Sequence, residues 1–395
     1  MTTFKSGRHF LQIPGPSNVP DRILHAIGRP TIDHRGPEFQ KLSEEVLIGS
    51  RRIFKTSGPV VVFPTSGTGA WEAALLNTLS PGDKVLMCET GHFATLWYKM
   101  ARKFGLQVDF VPTDWRHGVD PQIVEDKLKA DSGQRIKSVN IVHNETSTGV
   151  LSRVAEVRQA IDNAGHPALF MVDTISSLGS TDYRHEEWQV DVTVGCSQKG
   201  LMLPPGLGFN AISEKALEAS RANTFVRHFW DWNDMLHANE NFFYPSTPCT
   251  NLLFGLRESI KMLEEEGLDK VFARHARFGE ATRRAVRSWG LEILCQESFE
   301  YSPVLTAVLM PQGKGADALR KVILDNFDMS LGNGLGKVAD KVFRIGHLGD
   351  LNDLSLIGTL AGVEMGLELG GVEHTKGGVA AAMDYLSAER GAAKA

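Results

Sequence analysis

The sequence is poor in cysteine, has no long apolar run and shows no excess of basic charge. Four cysteines stand among 395 residues. Cys88, Cys196, Cys249 and Cys295 are far apart, without CxxC spacing. A disulfide framework or zinc cluster is therefore not expected, and a reducing compartment fits. The longest apolar runs, such as Val60–Phe63 and residues 168–172, are strand-length, well short of the ~20 residues that span a bilayer. Residues 1–15 carry Lys5 and Arg8 but no apolar stretch before Ile13-Pro14-Gly15, so they do not read as a secretory signal. Residues 391–395 are not a peroxisomal tripeptide of the Ser-Lys-Leu kind. The expectation is a cytoplasmic protein with no membrane partner. Acidic residues outnumber basic ones, 47 to 42, which argues against a nucleic-acid partner. What is present is ordinary: 42% hydrophobic and 23% charged residues, enough to bury large cores. At roughly 100–200 residues per domain, the length predicts two or three domains.

From about residue 55 to 215, apolar runs of strand length alternate with helical stretches. Strands are expected at Val60–Phe63, Lys84–Cys88, Gln107–Val111, 138–142, 168–172, 190–195 and Gly208–Ile212. Helices are expected at 68–79, 93–104, Pro121–Ala130 and 153–164, after an amphipathic helix near 37–55. Such alternation means βα units and a mostly parallel sheet covered on both faces. Residues 224–249 are aromatic-rich and suit a covered loop or an interface better than a regular element. A long helical pattern then runs from Leu252 to about Gly290, broken at Gly267. Beyond it come a strand (304–310), a helix (317–326), a glycine-rich loop (332–336), a strand (342–345) and a helix after Asp350. Enrichment in Ala and Gly after Gly370 reads as a plain surface helix and a frayed tail. The division expected is an N-terminal arm (1–20), a large α/β domain (21–255) and a smaller α+β domain (256–395).

In an open α/β sheet, ligands bind at the carboxyl ends of the strands. After Val60–Phe63 comes Pro64-Thr65-Ser66-Gly67-Thr68-Gly69-Ala70, where small residues open a helix whose N–H groups and dipole favour an anion. It is neither a Walker loop nor a good dinucleotide fingerprint, and a plain glycine turn is the alternative. The strand at 138–142 is followed by His143-Asn144-Glu145-Thr146-Ser147-Thr148-Gly149, polar as any surface loop is. Asp173 ends the next run, where a buried carboxylate is costly unless paired; a helix N-cap is the alternative. Lys199 follows 190–195 among small residues. A desolvated lysine has a lowered pKa and becomes a Schiff-base nucleophile, whereas a snorkelling surface lysine is the alternative. An anion cradle, a carboxylate and an amine at one sheet edge are the three parts pyridoxal phosphate requires.

Ser66-Gly67-Thr68-Gly69, Asp173 and Ser197-Gln198-Lys199, with the Asp and Lys 26 residues apart, resemble the fold-type I pyridoxal-phosphate enzymes of the class V aminotransferase family. Gly15-Pro16, the His143–Gly149 segment and Gln198-Lys199-Gly200 followed by Pro204-Pro205-Gly206 look like its alanine–glyoxylate and serine–glyoxylate members. Phe343-Arg344-Ile345-Gly346-His347-Leu348-Gly349 looks like the serine–glyoxylate branch. The resemblance spans about residues 10–365. It implies that Lys199 holds pyridoxal 5'-phosphate as a Schiff base and shuttles the Cα proton, while Asp173 pairs with the ring nitrogen. Thr68, Gly69 and the Ala70 backbone would bind phosphate, helped by Gln198. Phe93 would stack on the ring, at a position where relatives often carry Trp. Thr146 would bond the ring hydroxyl or the substrate, and Arg344 would clamp the substrate carboxylate. Tyr244 and Thr247 would reach a phosphate in a neighbouring subunit, which requires a homodimer with shared active sites; further pairing into tetramers is left open.

The implied activity is ping-pong transfer of the amino group of L-serine to glyoxylate, giving hydroxypyruvate and glycine, in one-carbon or glyoxylate metabolism. Alanine–glyoxylate transamination is the nearest rival, because a pocket separates a methyl from a hydroxymethyl by only ~1–3 kcal/mol unless a partner bonds the hydroxyl. A cysteine desulfurase is more remote: Gln198 precedes the lysine where His is usual, and Cys295 sits in no glycine-rich loop. A cofactor-free binding protein on the same fold would be expected to have lost the Lys or the Asp.

Overall fold

Val60 and Val62 point into one core, Val61 and Phe63 into another. That is the period-2 alternation of a strand covered on both faces. Val85 and Met87 divide from Leu86 and Cys88 in the same way. The computed structural model describes residues 6–392. Its strands are β1 (Phe10–Gln12), β2 (Val60–Phe63), β3 (Lys84–Cys88), β4 (Gln107–Val111), β5 (Ile136–Val142), the short β6 (Asn144–Glu145) and β7 (Val150–Leu151), β8 (Leu169–Asp173), β9 (Val192–Cys196), β10 (Gly208–Ile212), β11 (Glu292–Ile293), β12 (Leu305–Leu309), β13 (Met329–Asn333) and β14 (Val342–Gly346). The first helices are α1 (Asp21–Ile27), α2 (Pro37–Phe54), α3 (Gly67–Thr78) and α4 (His92–Lys103).

Seven strands form one sheet in the order β2-β10-β9-β8-β5-β3-β4. Only β10 runs against its neighbours; the other pairings are parallel. This is the mostly parallel, seven-stranded α/β sheet that the alternation predicts. One face packs α2 and the helix Thr250–Glu266 beside the helices Pro121–Ala130 and Val154–Asn163. The other face packs α3 and α4. Asp120 explains the sharp start of Pro121–Ala130: its side chain accepts from the Gln122 amide and Pro121 occupies the first turn.

A second sheet has the order β1-β13-β14-β12-β11. Its core is built from Phe343, Ile345 and Val308 on the strands and from Phe278, Ile323 and Leu360 on helices. Several features differ from the sequence reading. Residues 224–249 contain a regular helix, Trp232–Asn239, which Asp231 caps and which buries Trp232 and Met235. Gly332 and Asn333 belong to β13 rather than to a loop. The helix Gly378–Ala392 buries Ala382 and Leu386 in the core it shares with Phe278 and Ala281, so it is not merely superficial. The frayed tail expected at the end falls on 393–395, outside the described residues. β1 was not anticipated; it pairs parallel with β13 and so ties residues 10–12 to the second sheet.

Candidate active site

The parallel strands deliver four turns to one place. After β2, Ser66 precedes α3, and its carbonyl accepts from the Gly69 and Ala70 amides (3.1 and 3.3 Å). The amides of Gly67 and Thr68 come before the first bonded turn, so they are the ones a helix N-terminus offers to an anion. A Cβ on Gly67 would lie 2.2 Å from Ile175 Cδ1. Only glycine lets α3 approach the turn after β8 this closely.

Asp173 closes β8 and is buried. Its Oδ1 accepts from the Ile175 amide (2.6 Å) and its Oδ2 from the Trp71 indole N–H (3.0 Å). Burial pushes its pKa up to about 7, against the opposing pull of those two donors. After β9, Lys199 is also buried, and desolvation brings its amine down to about 8. The amine donates to the Pro14 carbonyl. Gly15, at φ +101°, passes so close that a Cβ would lie 2.2 Å from Lys199 Cδ. Ser17 ties the same turn down, its hydroxyl donating to the Lys199 carbonyl (2.8 Å) and its amide to that of Gln198 (3.0 Å).

After β5, the buried Glu145 carboxylate sits at the N-terminus of α4. It accepts from the amides of Phe93 (3.3 Å), Ala94 (3.1 Å) and Ser147 (3.1 Å), and from the Ser147 hydroxyl (2.7 Å). A carboxylate is favoured at a helix N-terminus, and here it sets the position of Phe93. Arg344, on β14, links the second sheet to the turn between β6 and β7. Its Nε donates to the Asn333 carbonyl (2.8 Å) and its Nη1 to that of Thr146 (2.7 Å). Burial lowers its pKa to about 10, which leaves it charged.

These turns enclose a cavity of about 230 Å³ lined by Lys199, Asp173, Ser66, Gly67, Thr68, Trp71, Phe93, Asn144, Thr146 and Gln198, with Gly15 and Pro16 from the N-terminal segment. Of the residues singled out in the sequence, Lys199, Asp173, Thr68, Phe93, Thr146 and Gln198 come together on its wall. Arg344 sits next to it through Thr146. Gly69 and Ala70 do not line it; their amides are spent on Ser66, and the opening lies one to two residues earlier. Tyr244 and Thr247 are outside it as well. The Tyr244 ring packs edge-on against Phe39 (6.0 Å), with its hydroxyl beside Ser43, and Thr247 is exposed. Trp71 was missed, although it stands one helical turn after Gly67 and so faces the same way. The approach of Pro14 and Gly15 to Lys199 has no local signal.

Two buried acceptors on the wall, Gln198 Oε1 and Asn144 Oδ1, have no hydrogen-bond partner among the described residues. Buried acceptors of this kind call for a ligand or water. A dry amine, a carboxylate with one donor on each oxygen and open amides at a helix N-terminus match the aldehyde, ring nitrogen and phosphate of pyridoxal phosphate. The family model for class V aminotransferases matches residues 12–327. The chain belongs to that family. This class V chain is 47% identical to a serine–glyoxylate aminotransferase of Methylorubrum extorquens, over 97% of each chain. It is 44% identical to an L-aspartate–glyoxylate aminotransferase of Paracoccus denitrificans, also over 97% of each. The fold superposes on a pyridoxamine–pyruvate aminotransferase from Mesorhizobium loti with a TM-score of 0.91 at 26% identity, covering 97% of this chain and 98% of that one. The family and its fold depend on pyridoxal phosphate.

Proposed function

We propose that this class V enzyme uses pyridoxal 5'-phosphate to pass the amino group of L-serine to glyoxylate, releasing hydroxypyruvate and glycine in two alternating half-reactions. The observation that carries this is the meeting of Lys199 and Asp173 in one buried cavity, in a chain nearly half identical to a serine–glyoxylate enzyme. When bound, the cofactor supplies an electron sink for the pair left at the amino acid's Cα. The chain's own residues do the rest. Lys199, whose amine burial brings to about 8, anchors the aldehyde carbon and, once displaced by substrate, carries the Cα proton. Asp173 holds the proton on the ring nitrogen. The amides of Gly67 and Thr68, with the Gln198 side chain, receive the phosphate, and Phe93 covers the ring. Arg344, fixed by two backbone carbonyls, keeps its guanidinium ready for the substrate carboxylate, beside Thr146.

A neutral, small amino donor is favoured over aspartate by charge. Among the described residues, the cavity wall carries one cationic side chain, Lys199, and Arg344 beside it is assigned the single substrate carboxylate, so a second carboxylate would need a further cation. Serine and alanine remain the close pair. The reading includes a homodimer with shared sites, in which exposed Thr247 serves the neighbour's phosphate; Tyr244 does so only if its ring leaves Phe39. It also includes a cytoplasmic location, which suits four free cysteines. No helix among the described residues is long and apolar enough to cross a membrane. The test is a donor panel of serine, alanine and aspartate against glyoxylate, with Lys199→Ala as control. Serine should give the highest kcat/KM and Lys199→Ala none. Preference for alanine or aspartate overturns the donor assignment, and turnover by Lys199→Ala overturns the mechanism.

A further inference from the structure

Trp71 and Trp97 stack in the core beneath the cavity, with ring centroids 5.8 Å apart and planes 10° from parallel. Both are buried, yet they differ at nitrogen. Trp97 Nε1 has no hydrogen-bond partner among the described residues. Trp71 Nε1 donates to Asp173 Oδ2 at 3.0 Å. This core therefore tolerates an unpaired indole N–H one ring away, and the Trp71 bond is not there merely to satisfy a buried donor.

The bond completes a specific geometry. Asp173 Oδ1 is held by the Ile175 amide, two residues along its own turn; Oδ2 is held from a different element, α3. One donor on each oxygen fixes the carboxylate plane and leaves a lone pair on each for a third donor. The helix that supplies Trp71 also supplies the open amides of Gly67 and Thr68, one turn earlier. It is locked to the Asp173 turn at a second point, where Gly67 meets Ile175.

We propose that Trp71 is a positioning residue for the cofactor's ring nitrogen: its indole N–H aims and polarises the Asp173 carboxylate, so that α3 sets the anion cradle and the ring-nitrogen contact as one rigid unit. This rests on the reading that the cavity holds pyridoxal phosphate. The bond stabilises the charged carboxylate, the form that receives a pyridinium proton. Its loss should weaken only ligands that present such a proton.

The experiment compares binding of two cofactors by the cofactor-free protein: pyridoxal phosphate and its 1-deaza analogue, in which carbon replaces the ring nitrogen. Trp71→Phe keeps an aromatic ring against Trp97 and removes the donor. It should weaken pyridoxal phosphate by about tenfold while changing the deaza analogue by less than about twofold. Trp97→Phe, which disturbs the same stack without touching Asp173, should affect the two ligands alike. Equal loss for both ligands in Trp71→Phe, or no loss, overturns the inference. If Trp71→Phe does not fold, benzothienylalanine at position 71 keeps the bicyclic shape without the N–H and gives the same comparison. If the unaltered protein takes up neither ligand, the reading of the cavity fails and the inference with it. That result is distinct from normal uptake with no discrimination.

Discussion

Asp173 and Arg344 are both buried charges, one on each sheet, and the structure holds them in opposite ways. Asp173 ends a strand in an apolar setting with two N–H donors, and burial still lifts it to about 7. Arg344 lies mid-strand with two carbonyl acceptors, and burial lowers it only to about 10. At neutral pH the carboxylate is poised and incomplete without a cationic partner, whereas the guanidinium is charged whatever binds. In the proposed function, the end of the site assigned to the cofactor ring is thus electrostatically tuned, and the end assigned to the substrate carboxylate is a fixed clamp.

Substitution at the two positions should therefore fail in different kinetic parameters. Asp173→Asn keeps the shape and removes the charge that we propose stabilises the protonated ring. It should lower kcat by roughly 10³-fold, the scale of losing a preorganised electrostatic contact. Arg344→Ala should lower kcat/KM by roughly 10²-fold, mostly through KM and by a similar factor for serine and alanine. Steady-state kinetics on both donors checks this. A kcat defect in Arg344→Ala larger than that in Asp173→Asn would break the contrast between tuned end and fixed clamp.

The contrast also predicts how the cofactor-free protein responds to pH. An unfolded aspartate titrates near ~3.9, and Asp173 titrates near 7 in the fold. Between these values the folded state binds more protons, so its contribution to stability falls as pH rises from about 4 to about 7. Lys199 runs the other way. Its folded value near 8 lies below the unfolded ~10.4, so its contribution rises from about 8 upward. Arg344 contributes no slope in the window from 4 to 8. Asp173→Asn removes the ionisation but turns one oxygen into an N–H donor facing the N–H of Ile175 or Trp71, so at pH 4 it should be less stable than the unaltered protein by about 1–2 kcal/mol. Between pH 4 and pH 8 the balance should shift in favour of Asp173→Asn by on the order of 3–4 kcal/mol, leaving it the more stable form at pH 8. Denaturant melts at several pH values measure that difference, and a difference independent of pH would show that Asp173 is not strained by ionisation.

The tuned end was the more legible of the two in the sequence. Lys199 and Asp173 stand just past apolar runs, where a parallel sheet places its ligands, and both runs are buried strands. The anion cradle was displaced by a residue or two because helix starts are set by capping geometry: α3 begins at Gly67 with Ser66 as its cap, not at Thr68. Trp71 stayed hidden because an apolar residue on a core helix looks the same whether or not its N–H meets a carboxylate. The Pro14 contact with Lys199 spans 185 residues, and no local pattern encodes it. Tyr244 carries a motif in its spacing, but sequence cannot say whether a half-buried ring turns inward or toward a second chain. The Trp232–Asn239 helix had one readable sign, the capping Asp231, masked by the aromatic composition around it.

Glu145 sharpens the comparison because it is a third buried charge in the same region with a different support. Its donors are two amides of α4's first turn and the amide and hydroxyl of Ser147, so the helix end and Ser147 together complete it. It does not wait for a ligand as Asp173 does. Glu145→Gln keeps one acceptor oxygen and turns the other into an N–H donor facing backbone N–H groups. The expected cost is about 1–2 kcal/mol of folding stability, with a kcat within about threefold of the unaltered enzyme. Thermal melts and steady-state rates together decide it. A kcat loss approaching that of Asp173→Asn would mean that Glu145 faces the reacting atoms rather than the end of a helix, and that the tuned region extends to both sides of the ring.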